Sequence, residues 1–299
     1  MAFAARSRLD IRAIITVAGN VPVALTTANA LRIRDLAGRS DVPMLAGMAA
    51  PMMLALETAK FLCGPDGLAG ADLPAPQSSA EPGHAVAAII RLLRAAEPDS
   101  VTLAALGPLS NVAMALRLAP DIVPAIARIV VMGGALGLGN MTPAAEFNFY
   151  VDPHAARVVL EAGIPTTLFG LHATHQALAS PEHLRRLRGL DNRAGSVTHA
   201  MLTRSRPGGL GTTAHPMHDP CVIGWLLWPE LFEGRNCHIE ITTEGSLRGR
   251  STIAWHDRQK RSPSAFVVNA IDADTLFDRI TVSCRSRSLE FLDDREYFL

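Results

Sequence analysis

No apolar run in the 299 residues reaches the roughly 18 needed to cross a bilayer, and the opening MAFAARSRLD holds no apolar stretch of signal-peptide length. The sequence is therefore read as soluble and cytoplasmic. Net charge is also missing, because 28 Lys and Arg balance 28 Asp and Glu. That removes nucleic acid and anionic membrane surfaces as expected partners and favours a neutral small molecule. Cys63, Cys221, Cys237 and Cys284 are scattered, with neither the paired spacing of a zinc site nor the density of a disulfide scaffold, so ordinary reduced thiols are expected. No linker divides the chain either. At 48% apolar and 19% charged it is long enough for one large domain with a sizeable core, placed at residues 1–280, with a polar tail at 281–299.

What is there is alternation. IRAIITVAG (11–19), VTLAAL (101–106), IARIVVMGG (126–134) and IPTTLFGL (164–171) are near-continuous apolar runs, the pattern of strands buried on both faces. Between them, Val86, Ile89, Ile90 and Leu93 fall at i, i+3, i+4 and i+7, one stripe of a helix. Asp152-Pro153 and Asp219-Pro220 read as helix starts, Asp capping and Pro in the first turn. CHIEITTE, STIAWH and SAFVVNAI add further strands of antiparallel character before a helix near 272–280. The fold class implied is α/β, a mainly parallel open sheet with helices on both faces. In such sheets ligands bind beyond the carboxyl ends of the strands, where Asn20, Leu106 and the segment Asn140–Asn148 all fall.

Polar groups follow strand ends in TVAGN (16–20), LGPLSN (106–111), GNMTPAAEFNFYVDP (139–153) and HDP (218–220). Most have a plain reading: Asn20 as a turn residue, Ser110 as a helix cap, Asp152 and Asp219 as caps. Glu146 does not. It sits among Ala144, Ala145, Phe147 and Phe149, an apolar setting that demands a dedicated partner or a ligand for a carboxylate. The series GGALGLGN has the spacing Gly134-x-x-Gly137-x-Gly139, the reverse of the dinucleotide fingerprint, which argues against a Rossmann dehydrogenase.

Taken in order, TVAGN, LGPLSNVAMAL, VVMGGALGLGNMTPAAEFNFYVDPHAA, THQAL and HDPC resemble the inosine-uridine-preferring nucleoside hydrolase family, from about Asp10 to about Asp278. The resemblance implies a calcium-dependent N-glycosidase that splits a ribonucleoside into ribose and free base, working as a homo-oligomer, dimer or tetramer. Asn20, Asn140, Glu146 and Asn148 match positions that hold the ribose hydroxyls, and Met132 one that lines the sugar. The Leu106 carbonyl and Asp219 match Ca²⁺ ligands, and His218 a residue that protonates the departing base. Amides and a carboxylate suit ribose hydroxyls, and a carboxylate suits an oxocarbenium-like transition state.

One absence then becomes specific. The family's Asp-x-Asp-x-x-x-Asp-Asp motif, source of most calcium ligands and of the base that activates water, occurs nowhere in the sequence. Asp272/Asp274 and Asp293-Asp294 are not placed to replace it. Because MAFAARSRLDIRAIITVAGN matches the family only from mid-helix onward, the first strand and its metal site are expected to be missing, and activity to be impaired. The competing expectations are a non-catalytic ribose- or nucleoside-binding paralogue and a structural subunit. Cys63-Gly64 stands where the family has His-Gly, His172 where it has Asp, and MLTRSRPGGLGTTAHPM lacks the tyrosines that contact the base.

Overall fold

The computed structural model describes residues 1–5, 8–204 and 215–285, so the tail from 286 onward and the segment 205–214 lie outside the described residues. Ten short strands alternate with helices: β1 Ile14–Thr16, α1 Val23–Leu36, β2 Met44–Ala46, α2 Lys60–Cys63, α3 Ala85–Arg94, β3 Val101–Ala105, α4 Ser110–Leu118 and β4 Ile126–Met132. Then come α5 Phe147–Val151, α6 Pro153–Leu160, β5 Thr166–Phe169, α7 Leu171–Thr174, β6 Leu178–Ala179, α8 Pro181–Arg188, α9 Arg193–Arg204, β7 His215–Pro216 and α10 His218–Leu227. The chain continues through β8 Phe232–Ile241, β9 Ser251–Ala254 and β10 Ala265–Ile271 to α11 Ala273–Arg285. The last helix therefore runs past residue 280, into the stretch assigned to the tail.

The main sheet has the order β3-β4-β5-β10-β8-β9, parallel from β3 through β10 and antiparallel at β8 and β9. Its centre shows why near-continuous apolar runs form strands here. Successive side chains alternate faces, so Ile129 and Val131 enter the core under α3, α4 and α6, while Val130 and Met132 enter the one under α10 and α11. Leu168 and Phe169 split the same way, as do Val267 and Val268. The helical stripe behaves as its spacing requires: Val86, Ile89 and Leu93 are buried and Ile90 packs beside them. No helix among the described residues is long and apolar enough to cross a membrane.

Three readings of the sequence need correction. β1 covers only residues 14–16 of the apolar run 11–19, and it pairs with β2, a three-residue strand too short to show a pattern. These two form a sheet of their own beside the mainly parallel main sheet, and β6 with β7 a third, so the described strands do not all join one sheet. β3 is not buried on both faces: Thr102 and Ala104 are exposed, because β3 pairs with β4 alone among the described strands. The β1–β2 sheet and the main sheet meet instead through a side chain. Asn111, at the start of α4, donates from Nδ2 to the Thr16 carbonyl (2.9 Å) and accepts the Met48 N–H at Oδ1 (2.8 Å).

Candidate active site

The chain leaves β4 through Gly133 and Gly134, passes an irregular loop, and re-enters helix at α5. Glycine is required at the exit, since a Cβ on Gly133 would lie 2.4 Å from the Phe149 ring. The loop closes on itself through Asn140 N–H to Ala145 C=O (3.2 Å) and Gly139 N–H to Pro143 C=O (3.1 Å). This brings Glu146 back against the strand end. There it caps α5: Oε1 accepts the Asn148 N–H (2.9 Å), and Oε2 accepts those of Gly134 (3.0 Å) and Phe149 (3.2 Å). The partner demanded by its apolar setting is thus three backbone donors. Glu146 is 2% exposed, and burial outweighs the three donors, raising its carboxyl to about 7, with Asp219 adding to the rise.

Glu146 keeps spare capacity. A carboxylate offers about four lone-pair sites, and three N–H groups occupy this one. Asn148 donates from Nδ2 to the Met132 carbonyl (3.0 Å), with Met132 Sδ at 3.5 Å and the Leu106 carbonyl at 3.5 Å. Asn140 Oδ1 accepts the Phe147 N–H (2.9 Å). No described residue donates to Asn148 Oδ1 or accepts from Asn140 Nδ2, so an amide oxygen, an amide NH₂ and one carboxylate lone pair stay available within one turn of chain. Met132 is buried, and its carbonyl and sulfur hold Asn148.

Asp219 and His218 open α10 on the other side. The cap there is Met217, without a side-chain bond, so Asp219 is not the N-cap that Asp-Pro suggests; Asp152-Pro153 is one, Asp152 Oδ1 accepting the Ala155 N–H at 3.0 Å. Asp219 remains open to water although protein packs around it. That enclosure raises its carboxyl to about 7. His218 Nδ1 lies 2.7 Å from Thr174 Oγ1 and its ring 5.5 Å from that of His175. Burial, reinforced by His175, lowers His218 to about 4, so the imidazole is neutral at pH 7. Burial raises the Cys63 thiol, and the charge of Asp219 adds to the rise ahead of that of Asp66. Asn20 is exposed, its carbonyl accepting the Ala59 N–H (3.0 Å).

The profile of the inosine-uridine preferring nucleoside hydrolases matches residues 1–278. The chain belongs to that family. It is 40% identical over 279 residues to an uncharacterized protein of Schizosaccharomyces pombe, covering 92% of this chain and 90% of that one. A pyrimidine-specific ribonucleoside hydrolase, RihA, of Photobacterium profundum is 41% identical over 279 residues, covering 92% and 87%. The solved plant nucleoside hydrolase PpNRh1 superposes with a TM-score of 0.87 at 27% identity, covering 95% of this chain and 93% of that one.

As a nucleoside hydrolase this chain is an N-glycosyl hydrolase with a small-molecule substrate, from a family known for a metal ion. Among the described residues its donors do not make up a calcium site. Ca²⁺ takes six to eight oxygens; here Asp219 and the Leu106 carbonyl supply two, and the described residues gather no group of three His, Cys, Asp or Glu able to hold a metal. Added Ca²⁺ is expected to leave the melting temperature of this chain within about 1 °C, since a ligand that does not bind the native state cannot stabilise it. A rise of several degrees in a thermal melt would show the donor set to be complete.

Two functional features escaped the sequence. Asn111 was visible in GPLSN, but nothing local says that it joins two sheets. His172, standing where the family has Asp, accepts the Leu136 N–H at Nδ1 (3.0 Å) and donates from Nε2 to the Val268 carbonyl (3.0 Å), which pins the glycine loop to β10. All four cysteines are free.

Proposed function

We propose that this chain hydrolyses the N-glycosidic bond of pyrimidine ribonucleosides, holding the ribose on Asn20, Asn140, Glu146 and Asn148 and releasing the base beside His218. The observation that carries this reading is the clustering of open polar atoms of Asn140, Glu146 and Asn148 at one strand end. A ribose hydroxyl donates to the spare Glu146 lone pair and to Asn148 Oδ1, and another accepts from Asn140 Nδ2. As the glycosidic bond breaks, positive charge grows on the sugar, water adds at the anomeric carbon, and the base departs with a proton. A buried carboxylate with a pKa near 7 is then driven to its anionic form, and its attraction for the sugar is stronger in the transition state than in the ground state. Uridine and cytidine are favoured over inosine because the Photobacterium relative is pyrimidine-specific.

His218 is the candidate proton donor to the departing base. A neutral imidazole at pH 7 is a weak acid, so the role requires the substrate to raise its pKa, as a departing anion does. The experiment follows ribose and base release from uridine, cytidine and inosine, and from p-nitrophenyl riboside, whose leaving group needs no proton. His218→Ala is expected to reduce uridine cleavage about a hundredfold or more while p-nitrophenyl riboside loses only severalfold. Equal losses would remove His218 from the proton-transfer step. Failure of the unaltered chain to release base from any nucleoside, with or without divalent cations, would leave binding without hydrolysis as the better reading.

A further inference from the structure

Between β2 and α2 the chain runs without regular structure over residues 47–59, and side chains of distant elements hold it. Met48 N–H is taken by Asn111 and Met52 N–H by Asp152 Oδ2 (2.9 Å). The third hold is different in kind. Glu57 accepts the Tyr150 hydroxyl at 3.1 Å on Oε1 and 3.2 Å on Oε2, and Arg248 Nη2 donates to the same Oε1 at 2.6 Å. The Arg248 guanidinium lies 4.0 Å from the centre of the Tyr150 ring, so cation, ring and carboxylate form a closed set. Gly249 makes the approach possible: its φ is +80°, and a Cβ there would lie 2.5 Å from Tyr150 Cα.

Both ends of this set lead into the site. Tyr150 belongs to α5, the short helix that carries Glu146 at its cap and Asn148 in its first turn. Glu57 is two residues before Ala59, whose N–H holds the Asn20 carbonyl, and Leu56, Ala59 and Leu62 pack on Phe147. We propose that Arg248, with Glu57 and Tyr150, is a latch that fixes the 47–59 arm against α5 and thereby sets the spacing between Asn20 and the Asn140–Asn148 loop. Arg248 is a positioning residue: it touches neither sugar nor base, and acts by keeping the two walls of the ribose recess in register. The claim about substrate rests on the nucleoside reading; the claim about the arm does not.

Hydrogen exchange and steady-state kinetics on the full chain test the two parts separately. Arg248→Ala is expected to speed amide exchange across 47–59 by about fivefold or more without changing β4 and β5. It should also raise KM for uridine about fivefold with kcat within twofold, the size of effect a partly buried charge pair supports. Tyr150→Phe should give a smaller change in the same direction, and Arg248→Lys should recover part of it. Unchanged exchange in the arm overturns the latch, and faster exchange with unchanged KM overturns its role in positioning. A merely stabilising pair would lower the melting temperature and leave KM alone. If the unaltered chain cleaves no nucleoside, the functional reading fails and the exchange result alone decides the latch.

Discussion

Glu146→Ala is expected to destabilise the protein by about 3 kcal/mol, while Glu146→Gln leaves it folded and removes its turnover by about a hundredfold or more. Alanine strips the acceptor from the buried N–H groups of Gly134, Asn148 and Phe149, and unsatisfied buried donors cost about 1–3 kcal/mol each. Glutamine has the shape of the protonated acid and keeps one acceptor oxygen, so near pH 5 its stability should match the parent within about 1 kcal/mol. The pH dependence separates charge from shape. The folded-state pKa of Glu146, about 7, lies above the unfolded value of 4.5, so between those limits the folded state holds the extra proton. Stability from this group is full below about pH 4.5 and declines as pH rises through 7, by about 3 kcal/mol at most. In Glu146→Gln that decline should vanish. Urea titrations from pH 4.5 to 8 read it directly, and a variant equally destabilised at every pH would show that the carboxylate serves the fold only. Unchanged turnover would place Glu146 away from the sugar.

Asp152→Ala should cost more, about 3–5 kcal/mol, a large share of the 5–15 kcal/mol that holds a domain together. The carboxylate is fully buried and gathers distant parts of the chain: Oδ2 accepts the Ser110 hydroxyl (2.5 Å) and the Met52 N–H, while Oδ1 caps α6. Removing it strands two backbone donors and a hydroxyl at once. Asp152→Asn retains one acceptor and should lose about half as much. A chemical denaturation midpoint for Asp152→Ala close to that of the parent would mean water enters and satisfies those donors.

These two acids show how far the sequence could be read. Asp152-Pro153 announced a cap, and it is one, because capping is decided within four residues. The same dipeptide logic failed at Asp219, where the helix begins earlier and the carboxylate caps nothing and is exposed. Local spacing does not encode that choice. The apolar setting of Glu146 signalled a dedicated partner, yet its donors come from both its own helix and Gly134, twelve residues upstream in the chain. The parallel core strands were legible in their unbroken apolar runs, whereas β2 was not, three residues being too few to show a period. Arg248 and Glu57 lie 191 residues apart, and no pattern in the chain connects them.

The division of the sheet changes how the protein holds together as one unit. In an unbroken sheet every strand is tied to its neighbour by a ladder of backbone bonds, and the whole layer opens or stays closed together. Here a seam runs between β1 and β3, bridged by the Asn111 amide and by Ile15, which packs against the cores on both sides. Cooperativity between the β1–β2 lobe and the rest therefore rests on side chains: that amide, Ile15, and the holds of Asp152 and of Arg248 with Tyr150 on the 47–59 arm. The lobe carries Asn20, so the side of the proposed ribose site that it supplies is tied to the rest by side chains rather than by a ladder of strand bonds among the described residues.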